Sequence, residues 1–385
     1  MKRSIALITS MIFFLTLFTF SVSAENESEI TVNAESGVLM DVQTGQVLYA
    51  SNENKQLYPA SVTKIMPLLL FMEALDSGKL SLTETVTASP DAASKGGSQI
   101  WLKEGEQMTV DELLRATAIA SANDACTALG EHIAGSEEAF VNMMNERAKA
   151  LGMKNTHFVN CSGLDDDTSE HLTTAYDIAL MSRELLKHEK ITDYTTVWMD
   201  SLRNGDTQLV NTNRLVRFYK GTTGLKTGTT SKAGHCLSAS AERDGLHLVA
   251  VVMGAKNSTD RFEGAKAMLN WGFANYENVT PEIDLSALQP VRVIKGIDSH
   301  VEPQLSAVES LTLKTGEKQS LETKITLCED VEAPVEENQI LGKIELILGD
   351  KTVAEYDLKA KKAVGRINIL IMAGRILKSI TKGLE

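Results

Sequence analysis

The sequence predicts an α+β domain followed by a small all-β domain, and three observations support this fold class. Strand-like segments stand at both ends of the first region and helical patterns fill its middle, which is the order of an α+β domain. After Pro281 the pattern changes to short alternating segments separated by turns. A length of 385 residues exceeds what one core of ordinary size serves. We therefore expect two domains plus terminal segments.

The N-terminus has the pattern of an export signal, assigned to residues 1–24. Lys2 and Arg3 precede an apolar run over residues 5–22, and Ser23 and Ala24 are small, as a signal peptidase requires. We expect cleavage after Ala24. An uncleaved N-terminal anchor is the alternative, because the run is longer than a usual signal-peptide core. In both cases the rest of the chain lies outside the cytoplasm.

Local signals place the elements of the first domain, residues 25–278. Apolar periodicity and capping patterns predict its helices, and short apolar runs between glycine-rich turns predict its strands. The predicted helices run from Ala60 to about Leu75, from Thr109 through Ile119, from Ala125 to Ile133, from Ser136 to Gly152, from Thr174 to about His188 and from Arg261 to Phe273. The predicted strands form a hairpin over residues 36–50 and an antiparallel sheet over residues 224–230, 234–241 and 246–253. Pro67 lacks the amide that would bond back to Thr63, so we expect a kink one turn past Lys64.

The second domain, residues 279–360, carries no catalytic constellation. Its predicted strands are Val291–Ile294, Ser310–Leu313, Thr323–Leu327 and Lys343–Leu348. The tail, residues 361–385, has the pattern of a basic amphipathic helix. Such a helix on an acidic exported protein predicts an anchor on the membrane surface, with docking on its own domain as the alternative.

Charge and cysteine usage exclude several function classes. A formal net charge of −13 argues against nucleic acid as a partner of the folded body. The cysteines are scattered, without Cys-x-x-Cys or neighbouring histidine pairs, so neither a zinc site nor a disulfide framework is indicated. They are Cys126, Cys161, Cys236 and Cys328. We expect free, mostly buried thiols, and one cross-bridge stays open because the chain is expected to be exported.

Ser61 and Lys64 place a hydroxyl and an amine three residues apart at the start of a predicted helix. They lie on one face there, so the amine can handle the proton of the hydroxyl if burial or nearby cations lower its pKa. The pattern alone is weak, because Ser379 and Lys382 repeat it in the tail.

Two further motifs follow in the chain. Ser121-Ala122-Asn123 occurs where the helical pattern breaks, and it is the one Ser-x-Asn in the sequence. Lys226-Thr227-Gly228 lies on a predicted strand, whereas a second Lys-Thr-Gly at residues 314–316 is expected to be a hairpin turn. A helix start, a helical break and a sheet strand can surround one cleft, so the three motifs together predict an active site.

These motifs and their context resemble the serine D-alanyl-D-alanine carboxypeptidases, the low-molecular-mass penicillin-binding proteins. The segments that carry the resemblance are residues 59–66, 121–125, 224–230 and 251–255. The order of signal peptide, catalytic domain, β domain and amphipathic anchor is also that of the family. The resemblance implies a β-lactamase/transpeptidase-like catalytic domain, with an antiparallel sheet flanked by helices.

The resemblance also assigns roles to residues. Ser61 would be the acyl-enzyme nucleophile and Lys64 its general base. Ser121 would relay a proton to the leaving D-alanine, and Asn123 would hold the acyl chain and the Lys64 amine. The backbone amides of Ser61 and Thr229 would form the oxyanion hole.

The strand motif would bind the terminal carboxylate. Lys226 would attract it and help to keep Lys64 neutral, which is a like-charge argument independent of the family. Thr227 would donate a hydrogen bond to the carboxylate, and Gly228 would let the substrate backbone approach the strand. Arg261 resembles a family arginine near the carboxylate site, and a solvated helix residue is the alternative.

The expected activity is therefore that of a D-alanyl-D-alanine carboxypeptidase acting on peptidoglycan stem peptides at the outer face of the membrane, with β-lactams trapping the same serine and with no cofactor. The alternatives are a β-lactamase and a catalytically silent scaffold of the same fold. The sequence contains no His-Glu-x-x-His, no Gly-x-Ser-x-Gly and no glycine-rich phosphate loop, so other hydrolase and nucleotide chemistries fit less well.

Overall fold

The computed structural model describes residues 30–165, 168–286, 288–305, 307–369 and 371–374. The expected signal peptide and the tail from residue 375 onward lie outside the described residues.

The first region contains helices between strands, as the sequence predicts. Its strands are β1 Ser36–Asp41, β2 Val47–Ser51, β3 Thr85–Thr87, β4 Gln107–Thr109, β5 Met199–Leu202, β6 Thr207–Val210, β7 Thr222–Thr230, β8 Gly234–Arg243, β9 Leu246–Ala255 and β10 Tyr276–Val279. Its α-helices are α1 Ile65–Asp76, α2 Pro90–Ser94, α3 Val110–Ile119, α4 Asn123–Ala134, α5 Glu137–Ala150, α6 Ala175–Leu185, α7 Thr192–Thr195, α8 Leu215–Phe218 and α9 Ser258–Asn275.

Strands from both ends of this region form one antiparallel sheet in the order β2-β1-β9-β8-β7. Helices cover both of its faces. On one face α6 reaches β8 through the hydroxyls of Ser182 and Ser238, which are 2.9 Å apart. On the other face Gly272 of α9 packs against Leu39 and Leu248. These leucines and Ser238 lie on opposite faces because side chains alternate along each strand. The predicted α+β class is confirmed.

Capping patterns position the helices as expected. Thr109 and Glu112 form both halves of a capping box at the start of α3. Ser136 caps α5 through the amide of Ala139, and Thr174 caps α6 through the amide of Asp177. Each cap satisfies an otherwise unpaired amide in the first turn of its helix.

Pro67 does not kink the helix, and the expectation of a kink is wrong. Residues Ala60–Lys64 form a 3₁₀ turn, and α1 begins only at Ile65. Pro67 therefore occupies the first turn of α1, where a missing amide removes no hydrogen bond within the α-helix. Most of α1 is buried, as its apolar sequence predicts.

The second region consists of strands in several small sheets. They are β11 Val291–Ile294, β12 His300–Val301, β13 Pro303–Leu305, β14 Leu311–Lys314, β15 Leu321–Leu327, β16 Asp330–Glu332, β17 Ile340–Leu348 and β18 Lys351–Ala360. The largest sheet has the order β13-β18-β17-β15, and β14 pairs with β10 of the first region. The hydroxyl of Thr312 in β14 also donates to the buried carboxylate of Asp41.

The second Lys-Thr-Gly is not a hairpin turn, in contrast to the prediction. β14 ends at Lys314 and pairs with β10, whereas β15 pairs with β17. A 3₁₀ turn over Glu317–Ser320 separates the two strands. The tripeptide therefore connects two different sheets.

About half of the expected amphipathic helix lies outside the described residues, and residues 361–368 are not helical, in contrast to the prediction. Within the described residues, Ile369 and residues 371–374 are helical and exposed. None of the helices in the described ranges is long and apolar enough to span a bilayer.

Candidate active site

Ser61 and Lys64 meet on the 3₁₀ turn that precedes α1. Lys64 Nζ lies 3.0 Å from Ser61 Oγ. The turn packs directly against β7, because a Cβ added to Gly228 would lie 2.6 Å from the carbonyl oxygen of Pro59 and 2.9 Å from the amide of Ser61. Glycine is thus required at position 228 by the chain's own turn. The sequence predicted a need for glycine there only from the approach of substrate.

Lys64 is fully buried among acceptors from three parts of the chain. Besides Ser61, its amine donates to Asn123 Oδ1 at 2.6 Å and to the carbonyl of Ser162 at 2.7 Å. Burial lowers the pKa of Lys64 to about 8, while negative charge on Cys126, Cys161 and Asp124 would raise it.

Lys226 lies on β7 and is 1% exposed. Its Nζ donates to the carbonyl of Thr227 at 3.1 Å. Burial, followed by the positive charges of Lys64 and Arg261, holds the pKa of Lys226 well below its ordinary value. The two lysines therefore interact, but burial is the principal reason that the pKa of Lys64 is low. The sequence allowed either burial or nearby cations to lower the pKa of Lys64, and burial is the larger cause.

Ser121 lies in the break between α3 and α4, and Asn123 is the first residue of α4. Ser121 is buried, has a left-handed φ of 64°, and its Oγ has no hydrogen-bond partner within the described part of the chain. Asn123 is held by its Nδ2, which donates to the carbonyl of Gly96 at 2.6 Å. An unpartnered buried hydroxyl in a left-handed backbone is costly, and such features are found at functional sites.

Thr227, Thr229 and Arg261 cluster at and beside β7. Thr227 Oγ1 lies 2.7 Å from the hydroxyl of Thr212. Arg261, in the first turns of α9, donates through Nη1 to the carbonyl of Gly228 at 3.0 Å and to Thr229 Oγ1 at 2.9 Å. Arg261 is 8% exposed, so it is not the solvated helix residue that was the alternative.

The structure adds residues that the motifs did not reveal. Ser162 contributes only a backbone carbonyl, which carries no sequence signal, and Thr212 belongs to no motif. Asp124 accepts from the amides of Ile100 at 3.1 Å and Leu102 at 3.0 Å, and so it holds the loop beside Asn123. Arg214 contributes to lowering the pKa of Arg261. Sequence reasoning could have noted Arg214 as one of the cations in the segment before β7.

The four cysteines, all within the described residues, form no disulfide. The thiols of Cys126, Cys161 and Cys236 are free and buried, and that of Cys328 is free and exposed, as predicted in the main. Within the described ranges, no group of three or more His, Cys, Asp or Glu side chains is placed to hold a metal ion.

Two family models match the chain. Residues 21–257 match the D-alanyl-D-alanine carboxypeptidase family, peptidase S11. Residues 277–366 match the model named penicillin-binding protein 5, C-terminal domain.

Individual proteins are similar over most of the chain. D-alanyl-D-alanine carboxypeptidase DacF of Bacillus subtilis (strain 168) is 41% identical, covering 99% of this chain and 100% of the relative. The crystal structure of penicillin-binding protein 5 from Haemophilus influenzae is 30% identical with a TM-score of 0.78, covering 88% of this chain and 99% of that one. Penicillin-binding protein D2 from Listeria monocytogenes, solved in a cefotaxime-bound form, is 32% identical with a TM-score of 0.59, covering 64% of this chain and 99% of that one.

Proposed function

The chain belongs to the S11 family of D-alanyl-D-alanine carboxypeptidases, and we propose that it removes the terminal D-alanine from peptidoglycan stem pentapeptides through an ester on Ser61. The observation that carries this proposal is the contact between Lys64 Nζ and Ser61 Oγ at 3.0 Å, with the pKa of Lys64 at about 8. With that pKa, about one Lys64 in ten is neutral at pH 7 and can accept the serine proton.

In the proposed acylation each of these residues has a separate role. Lys64 takes the proton of Ser61 while the serine oxygen attacks the carbonyl between the two D-alanines. The amides of Ser61 and Thr229 stabilise the resulting oxyanion. Ser121 relays a proton to the leaving amine, so that D-alanine departs and the shortened peptide stays on Ser61 as an ester. Asn123 holds the acyl chain, and water then hydrolyses the ester to free Ser61.

Lys226, Thr227 and Arg261 would recognise the terminal carboxylate of the substrate. Lys226 is buried and its pKa is low, so an arriving carboxylate stabilises the ammonium form that burial disfavours. Thr227 donates to the same carboxylate, and Arg261 adds positive charge beside Thr229.

β-Lactams would occupy the same site and acylate Ser61, because they mimic the dipeptide and leave a slowly hydrolysed ester. The cefotaxime-bound form of the Listeria monocytogenes relative supports this part of the proposal.

The test is labelling with a fluorescent penicillin together with assay of D-alanine release from a pentapeptide. We expect label on the peptide that contains Ser61, and loss of both label and D-alanine release in Ser61→Ala. Ser310→Ala, which removes a hydroxyl in the second region, serves as the control and should behave as the parent. Rapid turnover of penicillin without D-alanine release would instead indicate a β-lactamase. A parent chain that neither labels nor releases D-alanine would indicate a silent scaffold.

We also propose that the chain is exported and attached to the outer face of the membrane by its tail, residues 361–385. The basic, apolar leader supports export. The exposed Ile369 and Met372, followed by the amphipathic sequence to residue 384, support attachment. Protein lacking residues 361–385 should stay in the supernatant when sedimented with phosphatidylglycerol vesicles, whereas the chain with the tail should pellet. Equal pelleting of both would contradict the anchor.

The proposed domain division places residues 25–278 in the catalytic domain and residues 279–360 in the β domain. Between β10 and residue 360 the described residues form strands and no α-helix, which supports this boundary. Limited proteolysis should cut first near residues 280–290 and leave a fragment that still binds penicillin. A first cut within α1 to α9 would contradict it.

A further inference from the structure

His171 forms hydrogen bonds to two segments that meet at Lys64. Its ring is 0% exposed. Nδ1 lies 3.0 Å from the backbone nitrogen of Val159, and Nε2 lies 2.8 Å from Thr63 Oγ1. The imidazole therefore bridges two segments. One is the turn Ala60–Lys64 that carries Ser61, here called the nucleophile turn, and the other is the loop that follows Phe158.

The partners of the ring determine its tautomer. A backbone N–H can only donate, so Nδ1 must be the unprotonated nitrogen of His171. Nε2 then carries the proton and donates to Thr63. Burial, with the charges of His157 and Lys64, lowers the pKa of His171 to about 4, so the ring is neutral at neutral pH.

One bridged segment carries Lys64, and the other supplies an acceptor for its amine. Thr63 directly precedes Lys64 on the 3₁₀ turn. Val159 leads to Ser162, whose carbonyl accepts from Lys64 Nζ at 2.7 Å.

The loop and the nucleophile turn are closely packed against each other. Gly163 has a φ of +86°, and a Cβ added there would lie 1.9 Å from the carbonyl oxygen of Ala60. It would also lie 2.8 Å from Thr63 Oγ1. The loop and the turn are therefore in direct backbone contact, and a shift of either one moves the Ser162 carbonyl relative to Lys64.

We propose that His171 is a positioning residue, which by bridging Thr63 and Val159 holds the Ser162 carbonyl and the nucleophile turn so that Lys64 Nζ stays on Ser61 Oγ. This inference rests on the proposed function, because it assumes that Lys64 is the base for Ser61. His171 itself transfers no proton, since both of its nitrogens are occupied by Thr63 and Val159. Its effect is on the rate of acylation and not on the binding of substrate.

The test separates the acylation rate constant from the dissociation constant of the initial complex, using a fluorescent penicillin in stopped flow. Thr63→Val removes the hydroxyl that His171 bonds, and Thr63→Ser keeps it. We expect Thr63→Val and His171→Ala to slow acylation at least about tenfold, with a dissociation constant within about threefold of the parent, because misplaced reacting groups lose rate. Thr63→Ser, which keeps the hydroxyl, should acylate at a rate within about threefold of the parental rate.

His247→Ala is the matched control, because His247 is another largely buried histidine whose Nε2 lies 2.9 Å from a threonine hydroxyl, that of Thr223. It should acylate at the parental rate. Parental acylation in Thr63→Val at parental thermal stability overturns the proposal. So does an equal loss of rate, binding and thermal stability in Thr63→Val and His247→Ala, which would indicate a general packing role. A parent chain that takes no label overturns the proposed function as well, and the parental reaction alone reveals that case.

Discussion

The chain contains the tripeptide Lys-Thr-Gly in two regions, and the two copies have different surroundings. Lys226-Thr227-Gly228 lies within β7, where Lys226 is almost fully buried and Gly228 touches the backbone of the nucleophile turn. Lys314-Thr315-Gly316 begins at the end of β14, where all three residues are exposed. A Cβ added to Gly316 would meet no atom within 4 Å.

The difference shows that the tripeptide has no chemistry of its own. A lysine acquires a low pKa when packing removes its water and places other cations near it, as happens at Lys226. A glycine is indispensable where another backbone occupies the space of its Cβ, as Pro59 does at Gly228. Position in the sheet, and not the motif, makes the first copy part of the candidate site.

The largest expected contrast is at the glycines. Gly228→Ala forces the turn away from β7 and should lower the rate of penicillin acylation by at least about 100-fold, because it misplaces Ser61. Gly316→Ala should leave that rate at the parental value. Gly316 has a φ of 90°, so its substitution should cost about 1 kcal/mol of unfolding free energy. Acylation kinetics and urea unfolding measure the two effects, and similar rates in both variants would refute the contrast.

The lysines should differ next, and the pH profile reveals the difference. Because only the neutral amine of Lys64 accepts a proton, acylation should rise about tenfold per pH unit below its pKa of about 8 and level off above it. Lys226→Met removes a neighbouring positive charge, so the midpoint should move to higher pH.

The same variant should also lower kcat/KM for the pentapeptide by about 10- to 100-fold through the lost carboxylate contact. Lys314→Met should match the parent in both the profile and kcat/KM. A midpoint that stays at its parental pH in Lys226→Met would show that burial alone sets the pKa of Lys64.

The smallest contrast is expected at the threonines. Thr227→Val removes a hydroxyl that bonds Thr212 and is proposed to bond the substrate carboxylate. A hydrogen bond to an ionised carboxylate contributes about 1.5 kcal/mol, so kcat/KM for the pentapeptide should fall about tenfold. Thr315→Val should leave it unchanged. A substrate amidated at its C-terminus lacks the carboxylate and serves as the control. The parent and Thr227→Val should have equally low kcat/KM for it.

Much of the fold was predictable because its signals are local. Caps and hairpin turns act over three or four residues, so Thr109 with Glu112 marks the start of α3 wherever the helix later packs. Pro67 shows the limit of such reasoning. Its effect depends on where α1 begins, and the 3₁₀ turn moved that start to Ile65.

The sequence by itself determined that Ser61 and Lys64 lie one turn apart, that three motifs accompany one another in order, and that helices separate strands of one sheet. These are statements about residue types and short spacings, which the chain carries directly. The tertiary structure alone decided that Lys64 is buried among Ser61, Asn123 and the carbonyl of Ser162, and so that its pKa is about 8. It alone decided that His171 bridges Thr63 and Val159. Desolvation is the joint effect of many packed residues, and every residue carries a backbone carbonyl. Neither can therefore be predicted from the order of the amino acids alone.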